Sequence, residues 1–197
     1  MQPRPEVVRR PTVSKKESEW VRNINAAVYE ADRHMGFIFS MVLYDKFDFG
    51  LRKLANIQDK VFSFKLQYQD GKITLQEMRQ FAHSKGIHCY EEVKKIPMRQ
   101  KFLLCGLNKK KAALGIDKYA DSALLCCFML LAIPLKTDYR FSKADIEKLF
   151  YWIRYYIDSY ARGYVDDDGI VEAFKISEGV DILTGRKLTP EERKRIS

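Results

Sequence analysis

Two stretches of this chain repeat one pattern at a fixed spacing of 92 residues, and that recurrence limits the fold more than any single motif does. From Phe47 onward, Leu54 answers to Ile146, Ile57 to Leu149, Val61 to Ile153, Tyr68 to Tyr160, Gly71 to Gly163 and Ile73 to Val165. The turn that opens each stretch recurs too, as Phe47-Asp48-Phe49-Gly50 and as Tyr139-Arg140-Phe141-Ser142. One inserted residue later, Gly86-Ile87 answers to Gly179-Val180. A match that keeps turn chemistry along with apolar periodicity predicts a duplicated structural unit rather than two helical hairpins alike by chance.

The unit is helical. In the first copy Ile24, Val28, Ala31, Met35, Ile38 and Val42 recur in steps of four and three, which puts them on one face of a long helix from about Glu17 to Tyr44. The rhythm restarts at Leu54, Ile57, Val61, Phe64 and Tyr68 and stops at Gly71, a residue free to take the left-handed conformation that ends helices. Thr74-Leu75-Gln76-Glu77 has the spacing of a capping box and opens a short third helix that ends near Ser84. In the second copy a long apolar helix begins at Asp121-Ser122 and closes near Pro134; a second carries Ile146, Leu149, Ile153, Ile157 and Tyr160; a third starts with a cap at Asp166 or Asp167. The fold class expected is therefore all-α: two tandem, internally duplicated three-helix units joined by a basic helical linker.

The division that follows is a flexible basic arm over 1–16, a first helical unit over 17–87, a basic linker over 88–117, a second helical unit over 118–182 and a basic tail over 183–197 with a short helix begun by Thr189-Pro190. The linker is expected to hold a helix from about Glu91 to Leu104. Net charge is +9, and it is concentrated in three segments. Residues 1–25 carry six basic and three acidic side chains, 91–118 eight and three, and 183–197 five and two, so the stretches between them are slightly acidic. Positive charge on connectors and tails is where a polyanion would reach it.

Several classes of chemistry find no support. The longest apolar run, Ala123 to Leu135, is shorter than the roughly 18 residues of a membrane-span candidate and reads as a buried helix. The polar, basic N-terminus lacks the apolar core of a secretory signal, so a cytoplasmic protein is expected, with no membrane partner. Cys89, Cys105, Cys126 and Cys127 form no CxxC pair, and the adjacent Cys126 and Cys127 lie in the most apolar helix as small hydrophobes. His34, His83 and His88 read as solvated or capping residues, because none stands in a recognisable setting with a nucleophile and an acid. Asp166-Asp167-Asp168-Gly169 lacks the distal glutamate of a calcium loop and reads as a solvated helix start. The expectation is no enzyme, no cofactor and no metal.

Two sets of residues remain as candidates for binding. Lys94, Lys95, Arg99, Lys101 and the run Lys109, Lys110, Lys111 are the strongest polyanion contacts. On the helix from Ala144 to Tyr160, Trp152, Tyr155 and Tyr156 add rings beyond the apolar stripe, suited to stacking on bases or anchoring a protein, although burial between the two units competes with both uses.

The stretch Tyr44-Asp45-Lys46-Phe47-Asp48-Phe49-Gly50-Leu51-Arg52-Lys53-Leu54, followed by Gly71-Lys72-Ile73-Thr74-Leu75-Gln76-Glu77-Met78, resembles uncharacterised small helical proteins of phages and prophages of Gram-positive bacteria. The likeness covers roughly residues 25–90 and, more faintly, the second copy; it brings no catalytic or binding residues with it. What it implies is a phage setting. The leading expectation is a non-catalytic phage-encoded binding protein that inhibits or regulates a host nucleic-acid-handling machine, as anti-CRISPR and other anti-defence proteins do, with a host or defence protein or ribonucleoprotein as partner. Direct DNA or RNA binding through the basic linker and a self-assembling scaffold are the alternatives.

Overall fold

In a computed structural model describing residues 15–107, 117–182 and 186–196, the chain is almost wholly helical. The elements, in chain order, are α1 (Lys15–Phe47), α2 (Leu51–Gln69), α3 (Leu75–Ser84), α4 (Cys89–Lys94), α5 (Met98–Leu104), α6 (Asp117–Thr137), α7 (Lys143–Ala161), α8 (Asp167–Glu178), strands β1 (Val180–Asp181) and β2 (Arg186–Lys187), and α9 (Pro190–Ile196). The strands form one small antiparallel pair with Val180 opposite Lys187, an element that the sequence pattern did not announce.

The 92-residue spacing reappears in the backbone. Helices α2 and α7 both run 19 residues, and α3 and α8 both start 92 residues apart. Gly50 and Ser142 stand before α2 and α7 with nearly the same extended dihedrals. Asp48 and Arg140 are the two non-glycine residues with positive φ among the described residues, each at 56°. That conformation lets Phe49 N–H donate to the Leu43 carbonyl and Phe141 N–H to the Leu135 carbonyl, closing the preceding helix in the same way. A left-handed residue with a Cβ costs about 1–2 kcal/mol, less for aspartate than for arginine, while glycine adds about 0.5–1 kcal/mol of chain entropy. Arg140→Gly is therefore expected to stabilise the protein by up to about 1 kcal/mol, read as a higher urea midpoint; an unchanged or lower midpoint would refute strain at this turn.

Helix ends account for several boundaries. Thr74 and Glu77 form the anticipated capping box, with Thr74 Oγ1 accepting from Glu77 N–H and Thr74 N–H donating to Glu77. An equal box joins Ser142 and Asp145 at the start of α7, a Ser-x-x-Asp signal present in the sequence beside the turn motif. Asp166 caps α8 by accepting from Gly169 N–H. The helix expected over Glu91 to Leu104 is in fact two, because Pro97 disfavours helical dihedrals at Ile96 and donates no hydrogen bond. Conversely, α6 does not close near Pro134 but runs on to Thr137: the proline withholds the N–H that would donate to the Leu130 carbonyl, while its own carbonyl still accepts from Asp138 N–H at 2.8 Å.

Packing crosses the midpoint of the chain. α2 and α3 lie mainly against α6, while α7 and α8 lie mainly against α1, so the hairpin of each half covers the long helix of the other. The two turns meet reciprocally: the Phe47 ring stacks on Phe141 at 5.1 Å, and Phe49 meets Tyr139 at 5.2 Å. Positions 47 and 139 correspond, as do 49 and 141, so this is the kind of contact that a twofold axis makes in a symmetric dimer. α4 and α5 also pack on α6, and the buried residues of both halves and of the connector form one cluster. Its centre is α6, where Leu124, Phe128, Met129, Ala132 and Leu135 are inaccessible to solvent. The Tyr119–Thr137 stretch is long and apolar enough to cross a membrane, but 72% of it is buried inside this fold.

Candidate binding face

The helix α7 presents two faces. Ile146, Leu149, Phe150, Ile153, Tyr156 and Ile157 are buried, with Phe150 against Phe128 at 5.5 Å. On the opposite side Tyr151 and Tyr155 are 54% and 53% exposed, and Trp152 between them is half-buried. The three rings touch edge to face in a row, Tyr151 to Trp152 at 5.1 Å and Trp152 to Tyr155 at 5.4 Å, an arrangement that aromatic quadrupoles favour.

Cations flank this ridge on both sides. From α1, the Lys46 ammonium lies 4.2 Å from the Trp152 ring centre, and its lysine also pairs with Asp45 at 2.7 Å. Lys148 reaches over Phe47. On the other flank Arg154 forms an ion pair with Glu92 of α4, which Lys95 also meets at 2.6 Å, and Gln100 of α5 donates to Asp158 at 2.9 Å. Those two links bring α4 and α5, read as linker, alongside the aromatic helix. Lys95 and the row of rings, chosen from distant parts of the sequence, thus share one neighbourhood.

Other candidates lie elsewhere. Lys94 stands 4.3 Å over the Tyr90 ring, which Arg79 also covers at 4.5 Å. Arg99 is exposed on α5. Lys101 is not a surface cation: it is 4% exposed and its Nζ donates to Asp121 at 2.6 Å, tying α5 to α6, so no polyanion reaches it without opening the core. Tyr156 is likewise no free ring, being 8% exposed and donating its hydroxyl proton to Asp45 at 2.7 Å. Burial and that carboxylate push the Tyr156 hydroxyl pKa up, and Asp45 is held below the usual carboxylate range by Lys46 first and by Tyr156. Lys109, Lys110, Lys111 and the first 14 residues lie outside the described residues.

A polar cluster that sequence reading missed joins α1, α7 and α8. His34 is neither solvated nor capping: it is 8% exposed, with Nδ1 3.0 Å from the Asp167 carboxylate and 2.8 Å from the Tyr160 hydroxyl. Its Nε2 lies 3.5 Å from Glu30, and Arg33 reaches both Glu30 and Asp167. Asp167 is therefore more than a solvated acid at a helix start. Burial raises the Tyr160 hydroxyl pKa, and the Asp167 charge adds to it. At the corresponding place in the other half the residues are Cys126 for His34, Tyr68 for Tyr160, Leu75 for Asp167, Leu125 for Arg33 and Ser122 for Glu30. Without those charges that end is an open groove of about 760 Å³, floored by Leu75, Leu125 and Met129 and edged by Arg79, His83 and His88.

Reactive side chains are scarce among the described residues. All four cysteines are free thiols; burial pushes Cys105 up to about 12 and Cys126 up to about 11, and it raises Cys89 and Cys127 as well, far from the range of a working thiolate. No group of three or more histidine, cysteine or acidic side chains among the described residues is arranged to hold a metal ion. No family model, curated protein or solved structure matches the chain.

Proposed function

We propose that this chain is a non-catalytic binding protein of phage type, made of two copies of one helical unit, that holds a protein component of a host nucleic-acid-handling machine against the ridge of α7. The observation that carries the reading is the row Tyr151, Trp152, Tyr155, its two tyrosines exposed and its tryptophan half-buried between them, along a helix whose opposite face is buried in the core. Tyrosine and tryptophan beside arginine are the side chains that dominate protein interfaces, because they bury large area with few torsions to freeze. Duplication is supported by the shared helix lengths, the matching positive-φ residues and the reciprocal turn contact. On this reading the two copies have diverged: the second carries the ridge, and the first keeps serine at the position of Tyr155 and aspartate at that of Tyr151.

Charge favours a protein over bare nucleic acid. Lys46, Lys95 and Arg154 each meet a carboxylate of the chain itself, so fewer cations are left to neutralise phosphates than the composition suggests. Direct binding of single strands is the second reading, favoured by the two exposed tyrosine rings, and it predicts affinity that falls steeply with salt.

The test is capture from host lysate with the intact chain and with Tyr151→Ala/Tyr155→Ala side by side. A protein of a nucleic-acid-handling complex should be retained by the intact chain and lost by the variant, which keeps its far-UV spectrum because both rings lie outside the core. Interface rings of this kind are worth about 2 kcal/mol or more each, roughly thirtyfold in affinity. A captured set that the double substitution leaves unchanged would rule the ridge out. Retention of nucleic acid alone, abolished by salt, would select the second reading.

A further inference from the structure

We propose that the open groove between α3, α4 and α6 binds a fatty carboxylate, its hydrocarbon chain laid on the apolar floor and its carboxylate held by Arg79. The site is separate from the ridge, since no residue lining the groove belongs to α7. Leu75, Ile87, Leu125 and Met129 make the floor aliphatic, and the last three are buried, so their packing fixes its shape. The volume of about 760 Å³ lies within the roughly 300–1,000 Å³ of sites that enclose small molecules.

The other half shows that this place need not stand open. There Arg33 and Asp167 take the positions of Leu125 and Leu75 and pair at 3.4 Å, with His34 buried beside them, while buried Val171 takes the position of Arg79. Polarity is inverted between the halves: charges between the helices in one, an apolar floor under a charged lip in the other. The complement of the open arrangement is an apolar body with one polar end.

The charges at the lip select that polar end. Arg79 lies over the Tyr90 ring at 4.5 Å and pairs with no carboxylate among the described residues. Lys94 stands over the same ring at 4.3 Å, also without a carboxylate partner there. Against these two cations are Glu91, exposed in the first turn of α4, and Asp121, whose charge Lys101 already answers at 2.6 Å. One positive charge is left over. His83, one turn beyond Arg79, and His88, whose rings are 5.6 Å apart, add ring N–H donors to the same lip. A single carboxylate balances the excess and suits the two-pronged guanidinium, whereas an ammonium head would meet surplus cations.

Calorimetric titration of the full chain at neutral pH tests this with decanoate, decanol and decylammonium, each below its aggregation limit, and with hexanoate. Decanoate is expected to bind at least tenfold more tightly than decanol or decylammonium, and affinity to fall about two- to fourfold for each methylene removed towards hexanoate. Arg79→Glu should weaken decanoate at least tenfold and bring decylammonium level with it or ahead. Ser122→Trp, which sets a ring into the groove from an exposed position on α6, should also weaken decanoate at least tenfold. Both positions are exposed, so both variants should keep the parent melting curve. The proposal is overturned by no binding of decanoate, by equal binding of decylammonium to the intact chain, by no gain with chain length, or by decanoate affinity indifferent to either substitution.

Discussion

Phe128→Ala should lower the unfolding free energy by about 3–5 kcal/mol, the range for deleting a fully buried aromatic ring. Phe128 is inaccessible to solvent on α6 and meets Phe39 of α1 at 6.0 Å edge-on and Phe150 of α7 at 5.5 Å. Its loss empties a space where the long helices of both halves and the hairpin of the second come together, and none of them can move in alone to fill it. Because each half is covered by the other, urea unfolding followed by tryptophan fluorescence and by far-UV circular dichroism should remain one coincident transition, shifted to lower denaturant. Two separated transitions, or a loss under about 1 kcal/mol, would contradict the interlocked core.

The second large effect is at Lys101. Lys101→Glu is expected to cost about 4 kcal/mol or more, since it sets an unpaired carboxylate in a buried site facing Asp121. Lys101→Met keeps the aliphatic stem that fills the same space, and Asp121 is 45% exposed and stays hydrated, so this variant should lose no more than about 1–2 kcal/mol. Partner or nucleic-acid binding should be unaltered in Lys101→Met at temperatures where it is folded. A clear loss of binding there, with an unchanged melting curve, would return Lys101 to the list of contact residues.

Lys101 also illustrates what a single sequence conceals. Periodicity, caps and glycine stops made the helices legible from α1 through α3 and from α6 through α8, because those signals act within a turn or two of the chain. The 92-residue spacing carried further and anticipated the matched turns at Asp48 and Arg140. Burial of a lysine depends on Asp121, twenty residues further along the chain, and nothing within α5 marks it out from Lys95. The His34 cluster was hidden for the same reason, its partners Tyr160 and Asp167 lying 126 and 133 residues along the chain. The aromatic helix was read as a whole, yet it divides by face: Phe150 and Tyr156 turn inward while Tyr151 and Tyr155 turn out. Which hairpin would cover which long helix was not written in either half, because the two halves present like apolar stripes and either pairing satisfies them.

The exchanged packing also fixes an order of events during synthesis. The apolar face of α1, running through Ala31, Met35, Ile38 and Val42, receives its cover from α6, α7 and α8, the last two of which lie more than a hundred residues downstream. At translation rates of about 5–20 residues per second, that interval is roughly 5–20 s or longer. A nascent chain at that stage holds a finished α1 with its greasy side to water, so the first half must borrow a shield from the ribosome surface or a chaperone until its other half arrives.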